Sequence, residues 1–175
     1  MNRIIIYGSK YGTTKCYADE LAVRTGIKAA PYDEIKDISS YDTIIYLGAL
    51  YAGGVLGLKN TVKGLPYDFK KKLIIATVGL ADVHDKENIN NIRNSIKRQI
   101  PKKVYDNAMI FHLRGGIDYR KLNFKHRTMM KMLYKKASNI PIDEQTSEIK
   151  AMIETYNQKV DFINFNMLNN ILEVI

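Results

Sequence analysis

Ile4-Ile5-Ile6-Tyr7-Gly8-Ser9-Lys10-Tyr11-Gly12-Thr13-Thr14 is the stretch whose reading decides the fold. Residues 3–7 form a β-branched run with no polar alternation, the pattern of a strand buried on both faces. The run stops at Gly8-Ser9. Thr13 or Thr14 can then cap a helix whose apolar positions include Tyr17, Ala18, Leu21 and Ala22. Gly26 closes that helix as a glycine placed just past a helix end. A strand, a tight loop and a helix make the first unit of an alternating α/β chain.

The same alternation continues outward. Residues 28–32 are a weaker strand candidate, interrupted by Pro31 and so expected at an edge. Residues 43–48 read as a second buried strand running into the loop Ala49-Leu50-Tyr51-Ala52-Gly53-Gly54, with a helix expected over 57–64. Residues 73–79 give a third strand, and residues 108–113 a fourth. Between them lies a helix over 88–100, with Ile89, Ile92, Ile96 and Ile100 at helical spacing. A last helix is expected over 144–160, with Ile149, Met152, Ile153, Tyr156 and Val160 on one stripe. The order argues for parallel strands joined by right-handed crossovers. Counting the weak edge strand, the expectation is an α/β three-layer sandwich: a five-stranded parallel sheet, order 2-1-3-4-5, with helices on both faces. Residues 1–160 are read as the domain and residues 161–175 as an apolar tail, with Phe162, Phe165, Leu168, Ile171 and Leu172, able to pack on the domain, form a dimer or touch lipid.

A chain of 175 residues suits one domain with a full core. The single cysteine, Cys16, permits no intrachain disulfide and no thiolate cluster, and is read as a buried structural thiol. The N-terminal apolar run is too short for a signal peptide, and no stretch has the length of a membrane span, so a cytoplasmic protein is expected. His84, His112 and His126 are widely spaced and give no metal-ligand pattern. The net charge is +9, and residues 112–137 hold eight basic residues and one acid, so this one segment carries +7 of it. Within it Leu122, His126, Met129, Met130 and Leu133 form a helical apolar stripe flanked by Lys121, Lys125, Lys131 and Lys135. Such a helix either packs on the domain with a solvated lysine face or lies on an anionic membrane. Nucleic acid is not expected, because the segment lacks interleaved aromatics.

In an open α/β sheet, ligands bind beyond the carboxyl ends of the strands where the strand order reverses. Three loops converge there: residues 9–14, 49–54 and 79–85. The first suits a phosphate, since a glycine lets the backbone approach, Ser9, Thr13 and Thr14 offer hydroxyls, and the helix start presents free N–H groups. The same residues also fit a plain turn and helix cap. Neither Gly-x-Gly-x-x-Gly nor Gly-Lys-Ser/Thr occurs, so a dinucleotide or a nucleoside triphosphate is not the first choice.

Strand, Ser9-Lys10-Tyr11-Gly12-Thr13-Thr14, helix resembles the flavodoxin signature. Ala49-Leu50-Tyr51-Ala52-Gly53 is similar to the flavodoxin loop lying against the isoalloxazine ring. Thr77-Val78-Gly79-Leu80 is similar to the loop at the pyrimidine edge. The resemblance implies a flavodoxin-like sandwich binding FMN through Ser9, Lys10, Tyr11, Gly12, Thr13, Thr14, Leu50, Tyr51, Ala52, Gly53, Val78, Gly79 and Leu80. It implies electron transfer or FMN-dependent oxidoreduction with a redox protein or a quinone as partner. Tyr51 either stacks on the flavin or packs on the sheet edge. Leu80-Ala81-Asp82-Val83-His84 lacks the aromatic that many flavodoxins carry in that loop, and His84 is the one histidine in a ligand loop.

The basic segment, 112–137 after the fifth strand, is similar to the branch that includes menaquinone-dependent protoporphyrinogen IX dehydrogenase. That likeness implies an anionic porphyrin substrate, a membrane quinone, and peripheral contact with the inner face of the membrane. No catalytic residue is assigned, since the flavin carries the redox step. A flavin-free module for anionic partners is the alternative from another class.

Overall fold

A computed structural model of the chain describes residues 2–63, 65 and 71–175. Its first half runs β1 (Arg3–Gly8), α1 (Thr13–Thr25), β2 (Ala29–Pro31), β3 (Thr43–Tyr51), β4 (Gly54–Val55), α2 (Leu58–Val62) and β5 (Lys72–Gly79). Its second half runs α3 (Lys86–Gln99), α4 (Lys102–Asn107), β6 (Ala108–Arg114), β7 (Gly116–Asp118), α5 (Phe124–Ser138), α6 (Ser147–Thr155), β8 (Lys159–Asp161) and α7 (Asn169–Leu172).

The β-branched runs pair in parallel, with Ile5 opposite both Ala29 and Ile45, Ile45 opposite Ile74, and Ile75 opposite Ile110. The order β2-β1-β3-β5-β6 is the expected 2-1-3-4-5. Pro31 sits in the edge strand, where its missing N–H breaks no ladder. Because strand side chains alternate, each run supplies two cores. Ile4, Ile6, Ile44, Tyr46, Leu73 and Ile75 meet Ile92 and Ile96 of α3, Val104 of α4, and Leu58 and Val62 of α2. Ile5, Ile45, Leu47, Ile74 and Leu113 meet Tyr17, Ala18 and Leu21 of α1 on the other face.

Several boundaries differ from expectation. Residues 49–51 are strand, not loop: β3 continues to Tyr51 and turns back into β4 through Ala52 and Gly53, both at positive φ (51° and 76°). Two positive φ values in a two-residue connection are the hairpin turn that matches strand twist. The helix after Gly57 spans only Leu58–Val62, and Gly64 lies outside the described residues. The helix expected over 144–160 stops at Thr155, and Asn157 takes a positive φ of 59°. Val160 then belongs to β8, paired antiparallel with Ile117 of β7. Cys16 is exposed rather than buried, because α1 turns Thr14, Tyr17, Ala18 and Leu21 inward and leaves residues 15, 16 and 19 to solvent.

The C-terminal segment packs on the domain, and Leu168 and Ile171 are fully buried beside α1. The Tyr17 hydroxyl locks this layer, donating to the Arg114 carbonyl (2.7 Å) and accepting from the Asn164 N–H (2.9 Å). Leu168→Ala is therefore expected to cost about 3 kcal/mol in denaturant unfolding with an unchanged m value, against ~0.5 kcal/mol or less for the exposed Val23→Ala. Equal midpoints for the two variants would show that the C-terminal segment does not dock.

Candidate functional site

The carboxyl ends of β1, β3, β5 and β6 open into one cavity of about 340 Å³. Lys10, Tyr11, Thr13 and Thr14 line it from the first loop, Ala49 to Ala52 from the end of β3, and Val78 to Ala81 from the end of β5. Of the sequence-predicted residues, Lys10, Tyr11, Thr13, Thr14, Leu50, Tyr51, Ala52, Val78, Gly79 and Leu80 share this wall. Ser9, Gly12 and Gly53 stand behind it. Ser9 Oγ accepts from the Lys15 N–H (3.3 Å), Gly12 takes φ 94° at the start of α1, and the Gly53 carbonyl accepts from Ser95 Oγ (2.7 Å). His84 is exposed and not on the wall.

The helix start differs from the expected cap. Gly12, in the left-handed conformation, occupies the position before α1, and neither threonine caps it. The Thr13 hydroxyl instead donates to the Gly116 carbonyl (2.9 Å), tying the loop to the chain beyond β6. Thr14 is buried against the cavity, and its hydroxyl makes no bond within the described residues. Among the described residues the amides of Tyr11, Gly12, Thr13 and Thr14 also have no protein acceptor. Four unpaired N–H groups, the free proton of Ser9 and the hydroxyl of Thr14 thus gather at the positive end of a 13-residue helix. The Tyr11 hydroxyl is buried without a partner at the same wall, and burial followed by the neighbouring Tyr51 raises its pKa.

Beyond this polar end the cavity is apolar. A Cβ on Gly79 would lie 2.6 Å from Leu50 Cδ1, and one on Gly115 would lie 2.8 Å from Val78 Cγ1, so the glycines keep the walls close without filling the space. Asn88, at the start of α3, holds the β5–α3 loop through the Asp82 carbonyl (2.7 Å). Arg114 clamps the same loop, donating from Nε and Nη2 to the Leu80 carbonyl (3.2 and 2.9 Å) with its guanidinium 3.9 Å over the Phe162 ring. Lys10 Nζ lies 5.2 Å from the centre of the Tyr51 ring, and the Tyr51 hydroxyl contacts Met129 Sδ at 3.9 Å.

That last contact belongs to a cap the loops alone do not suggest. Residues 116–161 leave the sheet at β7, return at β8, and fold α5 and α6 over the cavity. Met129, Met130 and Leu133 of α5 and Met152 of α6 form its roof, with Glu148 at its rim. Ile117, Tyr119, Leu122 and Met130 give the cap a small core, in which burial pushes the Tyr119 hydroxyl up to about 12. Ser147 donates to the Asp85 carboxylate that caps α3, which anchors α6 to the domain and holds Asp85 below the usual carboxylate range. The apolar stripes of α5 and α6 were legible as helix faces, but nothing in their spacing says that the faces meet over a cavity.

The sequence profile of the flavodoxin domain matches residues 4–140, most of the chain. The chain belongs to the flavodoxin domain family. Among solved structures, a protein described as a flavoprotein from Bacteroides eggerthii aligns at 14% identity over 63% of this chain and 85% of its own, with a TM-score of 0.43. No curated protein matches the sequence. Within the described residues of this flavodoxin-domain chain, no helix is long and apolar enough to cross a membrane, and no three His, Cys, Asp or Glu side chains gather as metal ligands.

His112 lies on β6 opposite Thr77 of β5. Its Nδ1 meets Thr77 Oγ1 at 2.8 Å, its Nε2 is buried without a partner, and burial with the nearby Arg93 charge lowers its pKa to about 4. The unfolded chain takes up this proton near the ordinary histidine value of about 6.5, whereas the folded chain resists until about 4, so stability falls as pH drops through that window. Relative to His112→Gln, the parent protein should lose stability between those pH values and run parallel above them. Parallel curves throughout would show that His112 titrates normally in the fold.

Proposed function

We propose that the cavity binds FMN and that the protein is an FMN-dependent oxidoreductase. One observation carries this reading: the unpaired amides of residues 11–14 and the Ser9 and Thr14 hydroxyls gather at the helix start beside a largely apolar cavity, the donor set a phosphate needs. The residues fit the group. The helix-start donors match a phosphate, Gly79 and Gly115 let the walls pack closely against Leu50 and Val78, and Tyr51 and Leu80 bound the space that a planar ring needs. When bound, the flavin supplies hydride or single-electron exchange with a partner. The chain's own part is to fix the phosphate, hold the Leu80 loop through Arg114 and Asn88, and keep water from the ring through the methionine roof.

That roof favours an enzyme over a bare carrier. A carrier meets its partners at an open ring edge, while α5 and α6 cover this site with Met129, Met130 and Met152 and leave an apolar space beside it. A quinone or a flat hydrophobic reductant suits such a wall better than a redox protein does. The narrower reading, a quinone-coupled protoporphyrinogen dehydrogenase, draws on the same roof and on Lys10 at the cavity wall for a carboxylate of the substrate. Porphyrin fluorescence appearing from the reduced substrate, anaerobically and only with a quinone present, tests it, and no turnover with FMN bound would remove it.

Flavin binding has its own test. FMN should be retained through gel filtration, with its fluorescence quenched. Ser9→Ala with Thr14→Val should weaken FMN about 10- to 100-fold by removing charge-assisted hydrogen bonds, while leaving riboflavin, which has no phosphate, nearly unchanged. Equal losses for both flavins would place the phosphate elsewhere.

A further inference from the structure

α5 has two apolar faces, and the fold uses only one. Met130 and Ala137 are buried and Met129 and Leu133 reach the cavity, whereas Phe124 and Met132 point outward at 86% and 68% exposure. Positions 124, 128 and 132 fall on successive turns of one side of the helix. Lys125, Arg127, Lys131, Lys135 and Lys136 surround this row, and α5 contains no acid. Among the described residues none of the five pairs with a carboxylate. An apolar row set inside a ring of unpaired cations is the pattern of a helix that lies in an anionic interface.

We propose that this face of α5 docks on an anionic lipid bilayer, with Phe124 and Met132 entering the interface and the surrounding cations meeting lipid phosphates. The charge is complementary, and the apolar row is narrow and convex, so it suits a fluid interface that closes around it rather than a preformed groove. Leu133, 43% exposed, lies on the cavity wall, so docking brings the roof of the cavity to the lipid boundary. An apolar reactant dissolved in the bilayer then reaches the site without crossing water. The docking itself needs no flavin, and its test is run with and without FMN so that either reading fails alone.

The chain has no tryptophan, which makes Phe124→Trp a single reporter. Its emission should shift to the blue with vesicles of phosphatidylcholine and phosphatidylglycerol, and remain unshifted with phosphatidylcholine alone. Val23→Trp is the control, since α1 runs back from the phosphate loop and carries its exposed Val23 to the other end of the sheet; it should not shift. In cosedimentation, Phe124→Ser with Met132→Ser should weaken binding to the anionic vesicles about tenfold, and Lys131→Glu with Lys135→Glu should abolish it at moderate salt. No shift of the Phe124→Trp emission with anionic vesicles overturns the proposal, even where the protein sediments, because that result is charge attraction without insertion. A shift produced by poly-glutamate and not by vesicles also overturns it and gives the face to an acidic protein.

Discussion

The upper half of this molecule depends on how closely the chain can pass at Gly115 and Gly116. Beyond β6 the backbone enters a gap between the end of β5 and the start of α1, where a side chain on Gly115 would meet Val78 and Thr13 at 2.8 and 3.1 Å. The Gly115 N–H donates to the Gly79 carbonyl at 2.7 Å, and the Gly116 carbonyl accepts the Thr13 hydroxyl. Through these two bonds β6, the loop after β5 and the phosphate-type loop are tied into one floor. The same passage starts β7, so the path that closes the floor also launches the roof.

The sheet explains why the cavity lies where it does. Both faces of the parallel sheet are covered by helices, so a ligand has access only at the strand ends. β1 and β3 diverge into helices on opposite faces, and the space between their loops is not filled by either layer. α1 brings its unpaired amides to one end of that space. The cap supplies what an open flavodoxin-type site lacks, an apolar lid fixed to the domain at Asp85 and at the β7–β8 ribbon.

The sheet and the first loop were legible because their signals are local. Apolar runs rich in β-branched residues at 3–7, 43–48 and 73–79 fit a buried strand, and Gly8 through Thr14 bridges one to a helix start. The hydroxyl roles in that loop were less legible: Thr13 bonds to Gly116, more than a hundred residues away, which no local pattern announces. The helix expected over 144–160 failed for a related reason. Its stripe is continuous in sequence, but residues 159–161 find a better partner in β7, and Asn157 takes the positive φ that lets the chain turn back. The long-range pairing overrode the local periodicity. Cys16 and the roof methionines show the same limit, since burial on a helix depends on what the rest of the chain lays against it.

In the proposed complex, FMN sits in the switch-point cavity with its phosphate on the first loop. A crystal structure of the complex tests it most directly. The phosphate is expected within hydrogen-bonding distance of the amides of residues 11–14 and the Ser9 and Thr14 hydroxyls, with the ring between Tyr51 and Leu80 beneath Met129. Flavin bound elsewhere, or a phosphate pointing away from α1 toward the cap, would contradict it.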